Sequence, residues 1–216
     1  MTKTKLNYEY QYSSKQLTHI YSYLTNPILS ILPNPQTKSS DERKIRILDL
    51  GCGNGSFSHM LTNLGYDVVG VEESASGIAI ATQNFPETRF IQGSLYQLPL
   101  EVCQNQFDIV ISIEVIEHLF YPRELPRAAK QCLKPGGTLI VTTPFHGYLK
   151  NVSLALTGKL DAHFTTLWDG GHIKFFSVPT LKKLLISEGF ASPKFRFSGR
   201  FPFLWKSMIC AINLPH

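Results

Sequence analysis

Glu114, Glu117 and His118 fall close together, directly after the apolar run from Phe107 to Ile113. On a helix they occupy i, i+3 and i+4 and share one face. Two carboxylates and an imidazole so placed form a ligand set for a magnesium-like or zinc-like divalent ion with coordination positions to spare. A competing reading makes His118 a general base with Glu117 orienting its ring. A third makes the segment the polar start of a helix and nothing more.

A second constellation lies upstream. The β-rich run Ile45 to Leu50 enters Gly51-Cys52-Gly53-Asn54-Gly55, and a helical pattern follows. A turn without side chains lets backbone N–H groups approach a ligand at a helix N-terminus. A dinucleotide fingerprint would want glycine at position 56, which is Ser56. Glu72 ends the next strand-like run, where an acid can accept hydrogen bonds from both ribose hydroxyls of an adenosine. Loop and acid together point to an adenosine-bearing cofactor without naming it.

The elements that must hold these groups alternate. Strand-like runs cover Asp67 to Val71, Arg89 to Gln92, Phe107 to Ile113 and Thr138 to Thr143, and continuous apolar runs of this kind belong to a parallel sheet covered on both faces. Helical patterns span Phe57 to Leu64, Ser74 (as cap) to about Asn84, and about Pro122 to Leu133, the last stopped at Lys134-Pro135-Gly136-Gly137. Before them, Leu17, Ile20, Tyr21 and Leu24 make one apolar helical stripe. Asn26 is expected to cap a second short helix with Pro27 at its first position and Pro33 at its close. Residues 1–44 thus read as a helical cap and linker, with Gln36 to Lys44, including Ser39-Ser40-Asp41, as the connection, and 45–216 as the main domain. Phe145 to Phe176 breaks the rhythm, as lids and binding loops do. Its Phe145, Tyr148, Phe164, Trp168, Phe175 and Phe176 would wall an apolar acceptor site or fill the lid's own small core. Ser177 is expected to cap a helix through Leu181 to Glu188, followed by strand-like runs at Lys194 to Phe197 and Lys206 to Ile212.

The 216 residues fit one domain. Cys52, Cys103, Cys132 and Cys210 form no Cys-x-x-Cys pair, so neither a zinc ribbon nor a disulfide framework is suggested and the reducing cytoplasm is the natural expectation. Met1 to Tyr12 lacks the apolar stretch of a secretory signal, and no run is long enough to cross a membrane. The net charge of +5 is dispersed over residues such as Lys3, Lys5, Lys15, Arg43, Lys44, Arg46, Lys182 and Lys183, so no nucleic-acid partner is expected.

Ile47-Leu-Asp-Leu-Gly-Cys-Gly-Asn-Gly55, Val68-Val-Gly-Val-Glu72, Phe107-Asp-Ile-Val110, Glu114-Val-Ile-Glu-His-Leu119 and Leu133-Lys-Pro-Gly-Gly-Thr-Leu139 follow one another over about residues 45 to 143. In order and spacing they resemble the class I S-adenosylmethionine-dependent methyltransferases. The resemblance implies an α/β, Rossmann-like seven-stranded and mostly parallel sheet with helices on both faces, its last strand antiparallel. It places Asp49, Gly51 and Gly53 around the methionine part of the cofactor, in one loop with Cys52 and Gly55, and Glu72 on the ribose. It sets Ser94 and Leu95 along the adenine, though many relatives carry an acid where this chain has Ser94. Ile113 and Glu114 would face the sulfonium.

Within that family Glu114-Val-Ile-Glu117-His118 looks most like the O-methyltransferases of ubiquinone biosynthesis. That likeness implies Glu114, Glu117 and His118 near the transferred methyl, with a cation such as magnesium bound by the matching residues in some relatives. An Asn/Asp-Pro-Pro-Tyr/Phe loop, usual for amine methylation, is missing from Ser112 to Glu117. The expected function is therefore O-methylation of a small aromatic or lipophilic hydroxyl compound, of quinone or catechol type, with S-adenosylhomocysteine as product. His172, in Gly170-Gly171-His172, resembles a histidine segment of the quinone enzymes and would approach the acceptor or serve structure alone. Phe201-Pro-Phe-Leu-Trp205 would touch a membrane weakly or form the last hairpin. The rival readings are an S-adenosylmethionine-binding module without turnover and a nicotinamide-dependent oxidoreductase; the oligomeric state is left open.

Overall fold

Alternating apolar side chains dictate how the sheet is covered. In β1 (Arg46–Leu50) Ile47 and Leu48 point to opposite faces, and both are fully buried. Ile47 joins Val68, Ile109, Ile111, Ile140 and Ile209 under Leu24 and Ile28 of α1 (Tyr21–Leu29) and Phe57 and Leu61 of α2 (Ser56–Asn63). Leu48 joins Val69, Val110, Leu139, Val141 and Cys210 under α4 (Glu124–Cys132) and α7 (Val178–Ser187). This computed structural model describes residues 9–35, 43–104 and 106–216. The expectations for Lys3, Lys5, the first eight residues and Ser39-Ser40-Asp41 fall outside them.

The remaining elements are β2 (Asp67–Glu72), α3 (Ala75–Asn84), β3 (Arg89–Gln92), β4 (Phe107–Ile113), β5 (Leu133–Pro144), α5 (Tyr148–Leu156), α6 (Leu160–Phe164), β6 (Ala191–Ser198) and β7 (Ser207–Asn213). The sheet order is β3-β2-β1-β4-β5-β7-β6. Pairing is parallel from β3 across to β5, and β7 runs antiparallel to both β5 and β6. The fold is the expected Rossmann-like one. Strand order reverses between β1 and β4, and ligands of open α/β sheets bind at the carboxyl ends of the strands at such a point. Gly51 follows β1 there and Glu114 follows β4.

Four local expectations are corrected. Asn26 does not cap a new helix, because α1 runs through Pro27. Proline cannot donate to the carbonyl four residues back, that of Tyr23. The Ser198 hydroxyl donates to that oxygen instead, so the helix continues without an unsatisfied acceptor. Ser198→Ala is expected to leave the carbonyl unpaired and cost about 1–3 kcal/mol, visible as a lower denaturant midpoint with unchanged slope.

The second correction concerns Lys134 to Gly137. Rather than a plain turn before a strand at Thr138, these residues are already in β5, which starts as soon as α4 ends. The surplus residues form an irregularity in the ladder with β4 between Phe107 and Ile109. Third, Phe145 to Phe176 is not a bare loop; it contains α5 and α6. β6 likewise starts at Ala191, earlier than expected, and accommodates Pro193 as an edge strand with a register shift between Ala191 and Lys194. Ser177 does cap α7: its backbone N–H donates to the Thr180 hydroxyl.

Candidate active site

The glycine loop turns where L side chains would not fit. Gly51 has φ +80°, and a Cβ there would lie 2.5 Å from Val115 Cγ2. Gly53 has φ +59°, and its Cβ would meet the Tyr12 hydroxyl at 2.9 Å. The Gly51 and Cys52 N–H groups both donate to Val71 O, at 2.8 and 3.1 Å, which locks the turn onto β2. Beneath it Asp49 is 2% exposed and accepts the Ser58 hydroxyl at 2.6 Å. Burial pushes the Asp49 carboxyl up to about 7, with the Ser58 bond opposing the rise.

Glu72 closes this half of the site. One carboxylate oxygen accepts Gly53 N–H and the other accepts Ser74 N–H, each at 2.9 Å. An ionised carboxylate offers about four lone-pair sites, so both oxygens retain capacity for a diol. Its backbone carbonyl accepts Gly93 N–H at 2.9 Å, which brings Ser94 and Leu95 beside it. Both are half-buried; the Ser94 hydroxyl oxygen accepts Tyr96 N–H at 3.3 Å. Ile113 is buried in the core layer under α1 and α2.

Sequence reasoning missed the strap that covers this half. Residues 9–16 are tied down by Ser74 Oγ to Tyr10 O, Tyr12 N–H to Ser76 Oγ, and Asn54 Nδ2 to the carbonyls of Ser14 and Gln16. The Ser56 hydroxyl, at the position where a dinucleotide loop would have glycine, donates to Lys15 O. Tyr12 thereby lies over Gly53 and Gly77. Burial, then the charge of Glu72, pushes its phenol upward and keeps it neutral. The signal was present as the alternating tyrosines 8, 10 and 12.

The second half departs from the one-face expectation. Glu114 has φ +53°, a left-handed turn that ends β4, and only Ile116–His118 form a single 3₁₀ turn. Glu114 therefore does not share a ligand cluster with the other two, although it lies near enough to Glu117 to raise its pKa. Its carboxylate accepts the Thr142 hydroxyl at 2.9 Å, and burial raises its pKa against that bond. Glu117 is fully buried, and neither carboxylate oxygen has a hydrogen-bond partner. His172 takes the place foreseen for Glu114: single ligand atoms of Glu117, His118 and His172 lie within 4.8 Å of one another.

His118 Nδ1 lies 2.8 Å from Gly170 O. A carbonyl only accepts, so Nδ1 carries the proton and Nε2 is left basic. Gly170, not Glu117, orients the ring. Burial lowers the His118 pKa, and burial followed by the charges of His118 and His163 brings His172 down to about 4. Burial and Glu114 push Glu117 well up. His172 Nε2 and Glu117 Oε1, 3.9 Å apart, are thus a neutral pair too distant for a hydrogen bond. Trp168 joins the halves: its ring stands 6.3 Å from Tyr10 in the strap, 5.8 Å from His118 and 5.7 Å from His172. Trp205, by contrast, packs on Phe145 and Phe197 in the β6–β7 hairpin, while Phe201 and Phe203 are exposed.

The buried acids set a pH dependence of stability. Asp49, Glu114 and Glu117 hold protons in the folded chain that the unfolded chain has already released. Their contribution is full below the ordinary carboxylate range, and that of Asp49 and Glu114 is lost as pH rises through about 7. Glu114→Gln should raise the denaturant midpoint more at about pH 8 than at about pH 5.

Residues 17–192 match the family model described as a methyltransferase domain. The chain is 34% identical over 128 residues to a ubiquinone biosynthesis O-methyltransferase of Caulobacter sp. (strain K31), a match covering 57% of this chain and 49% of that protein. It spans about half the length of several curated relatives it matches. An S-adenosylmethionine-dependent methyltransferase from Mesorhizobium loti is similar in fold, with a TM-score of 0.66 at 20% identity over 87% of this chain and 96% of that one. The magnesium protoporphyrin IX methyltransferase of Synechocystis PCC 6803 with bound SAH has a TM-score of 0.59 at 20% identity, covering 77% and 73%.

Proposed function

Because the chain belongs to the methyltransferase domain family, we propose that it transfers the S-methyl group of S-adenosylmethionine to a hydroxyl oxygen of a small aromatic or lipophilic acceptor of catechol or quinol type. The observation that carries this reading is the fixed tautomer of His118, whose free Nε2 belongs to a half-buried imidazole joined through Trp168 and Tyr10 to the strap over the glycine loop. The loop, Glu72 and Ser94-Leu95 hold the cofactor; residues 145–176 cover the acceptor, and residues 1–44 contribute the cap and the connection.

In the reaction the acceptor O–H proton passes to His118 Nε2 while oxygen bonds to the methyl carbon. The carbon–sulfur bond breaks, its electron pair stays on sulfur, and S-adenosylhomocysteine leaves. Alignment of the three centres supplies several kcal/mol of the acceleration, and the base typically ~10²–10⁴-fold. Gly170 O holds the imidazole on its proton-bearing side throughout.

The orphaned Glu117 oxygens favour a second reading, in which Glu117, His118 and His172 hold a divalent cation that stabilises an acceptor phenolate. Two imidazoles and one carboxylate suit a zinc-like ion better than magnesium, which prefers oxygen ligands. The sulfurs of all four cysteines are free, as the reducing cytoplasm would keep them, and no helix among the described residues is long and apolar enough to cross a membrane. Exposed Phe201 and Phe203 would provide the weak membrane contact that a lipophilic acceptor requires.

Isotope-labelled S-adenosylmethionine incubated with a panel of catechols and hydroxyquinones tests the reading. Label is expected in the organic acceptor. Selective S-adenosylmethionine binding without any transfer would favour a binding module, and saturable dinucleotide binding in its place would restore the oxidoreductase.

A further inference from the structure

A second set of polar groups lies within residues 145–176, near His172, and the reaction above does not use it. Lys150 of α5 is 5% exposed, and its Nζ donates one hydrogen bond, to Phe145 O at 2.8 Å. An ammonium has three N–H donors. Among the described residues no carboxylate lies within ion-pair distance of it, so two donors are unused. Asn151 Oδ1 and His163 Nε2 are also buried without a partner, and the His163 ring stands 5.3 Å from that of His146.

The surrounding charge has one sign. Exposed Arg200, in the β6–β7 turn, repels Lys150 and His163. Lys150 in turn lowers His146 and His163. Glu114 is the acid that acts on Lys150, and burial pushes it up to about 7, so it carries only part of a charge near neutrality. Burial and Arg200 hold the Lys150 ammonium down to about 8. A buried cation without an anion costs the fold free energy that well-packed apolar residues would not. A bound anion would relieve the desolvation, the repulsion and the unused donors together.

We propose that Lys150, with Asn151, His163 and Arg200 around it, receives an anionic oxygen substituent of the acceptor, a carboxylate or phosphate group carried on the same molecule as the methylated hydroxyl. This rests on reading the space under residues 145–176 as the acceptor site. Such a residue selects among acceptors without touching the reacting atoms.

Dihydrocaffeate and its carboxamide are a matched pair that differs in charge but hardly in shape. Their binding to the full chain with S-adenosylhomocysteine present is measured by calorimetry, beside their rates of methylation. The wild type should bind the carboxylate about tenfold or more tightly than the amide, the worth of a hydrogen bond to a charged group. Lys150→Met should erase that ratio, leave amide binding within about twofold and keep or raise the melting temperature, since it removes an unpaired buried charge. Inorganic phosphate competing in the wild type and not in K150M would assign the group as phosphate; no competition would assign it as carboxylate. Equal binding of the pair by the wild type, or a preference that survives K150M, overturns the proposal. Tight, Lys150-dependent binding of dihydrocaffeate without methylation would keep the anion site and remove the O-methylation reading instead.

Discussion

His118→Asn should lower kcat by roughly 10²–10⁴-fold, the usual contribution of a positioned base, while the dissociation constant for S-adenosylmethionine stays within about twofold. Asparagine can still donate to Gly170 O, so the local turn survives and the lost group is the basic Nε2. The acid limb of the wild-type pH–rate profile should lie below the ordinary histidine value of 6.5, because burial disfavours the imidazolium. That limb should vanish in the variant. The cation reading makes a different forecast for the same residue: a chelator would silence the wild type, and a zinc-like ion would restore it. Chelator-insensitive activity that H118N abolishes selects the base.

Glu72→Ala should weaken S-adenosylmethionine binding by about 10²-fold, or about 3 kcal/mol, as hydrogen bonds from two ribose hydroxyls to a charged acceptor are lost. Part of the effect arises in the protein, because the Gly53 and Ser74 N–H groups also lose their acceptor. Glu72→Gln separates the two contributions: one amide oxygen can still serve a loop N–H, and binding should fall less. At saturating cofactor kcat should hardly change in either variant, since the proposed role of Glu72 is to hold the adenosine and not the transferred methyl. Calorimetric titration with S-adenosylhomocysteine and melting curves of the free proteins report the two effects.

The fold was readable because β1, β2 and β4 are apolar runs buried on both faces, a signal that depends on composition alone. The geometry of the glycine loop was readable for a related reason: glycines at left-handed positions and an acid at a strand end are local requirements of one turn. The arrangement around Glu117 was not. A helical face through Glu114, Glu117 and His118 assumes helical φ and ψ, and the left-handed turn at Glu114 is set by its bonds to Thr142 from the neighbouring strand. His172 reaches Glu117 because the Ile173 and Lys174 N–H groups bond to Glu117 O, a contact between distant segments. Pro27 was misjudged because its compensating donor, Ser198, lies 175 residues from the freed carbonyl. The strap needed both the tyrosine alternation and the hydroxyls of Ser56, Ser74 and Ser76, none of which signals a contact alone.

The central claim is that the oxygen of a small hydroxyl compound receives the methyl group of S-adenosylmethionine. Its most direct test is carbon-13 NMR of the product formed with S-adenosylmethionine labelled in the methyl carbon, using the best acceptor from the catechol and hydroxyquinone panel. A labelled methyl bonded to oxygen in wild-type reactions, and nearly absent in those of H118N, is the expected result. Label bonded to nitrogen or carbon, or confined to unreacted S-adenosylmethionine across the whole panel, would contradict it.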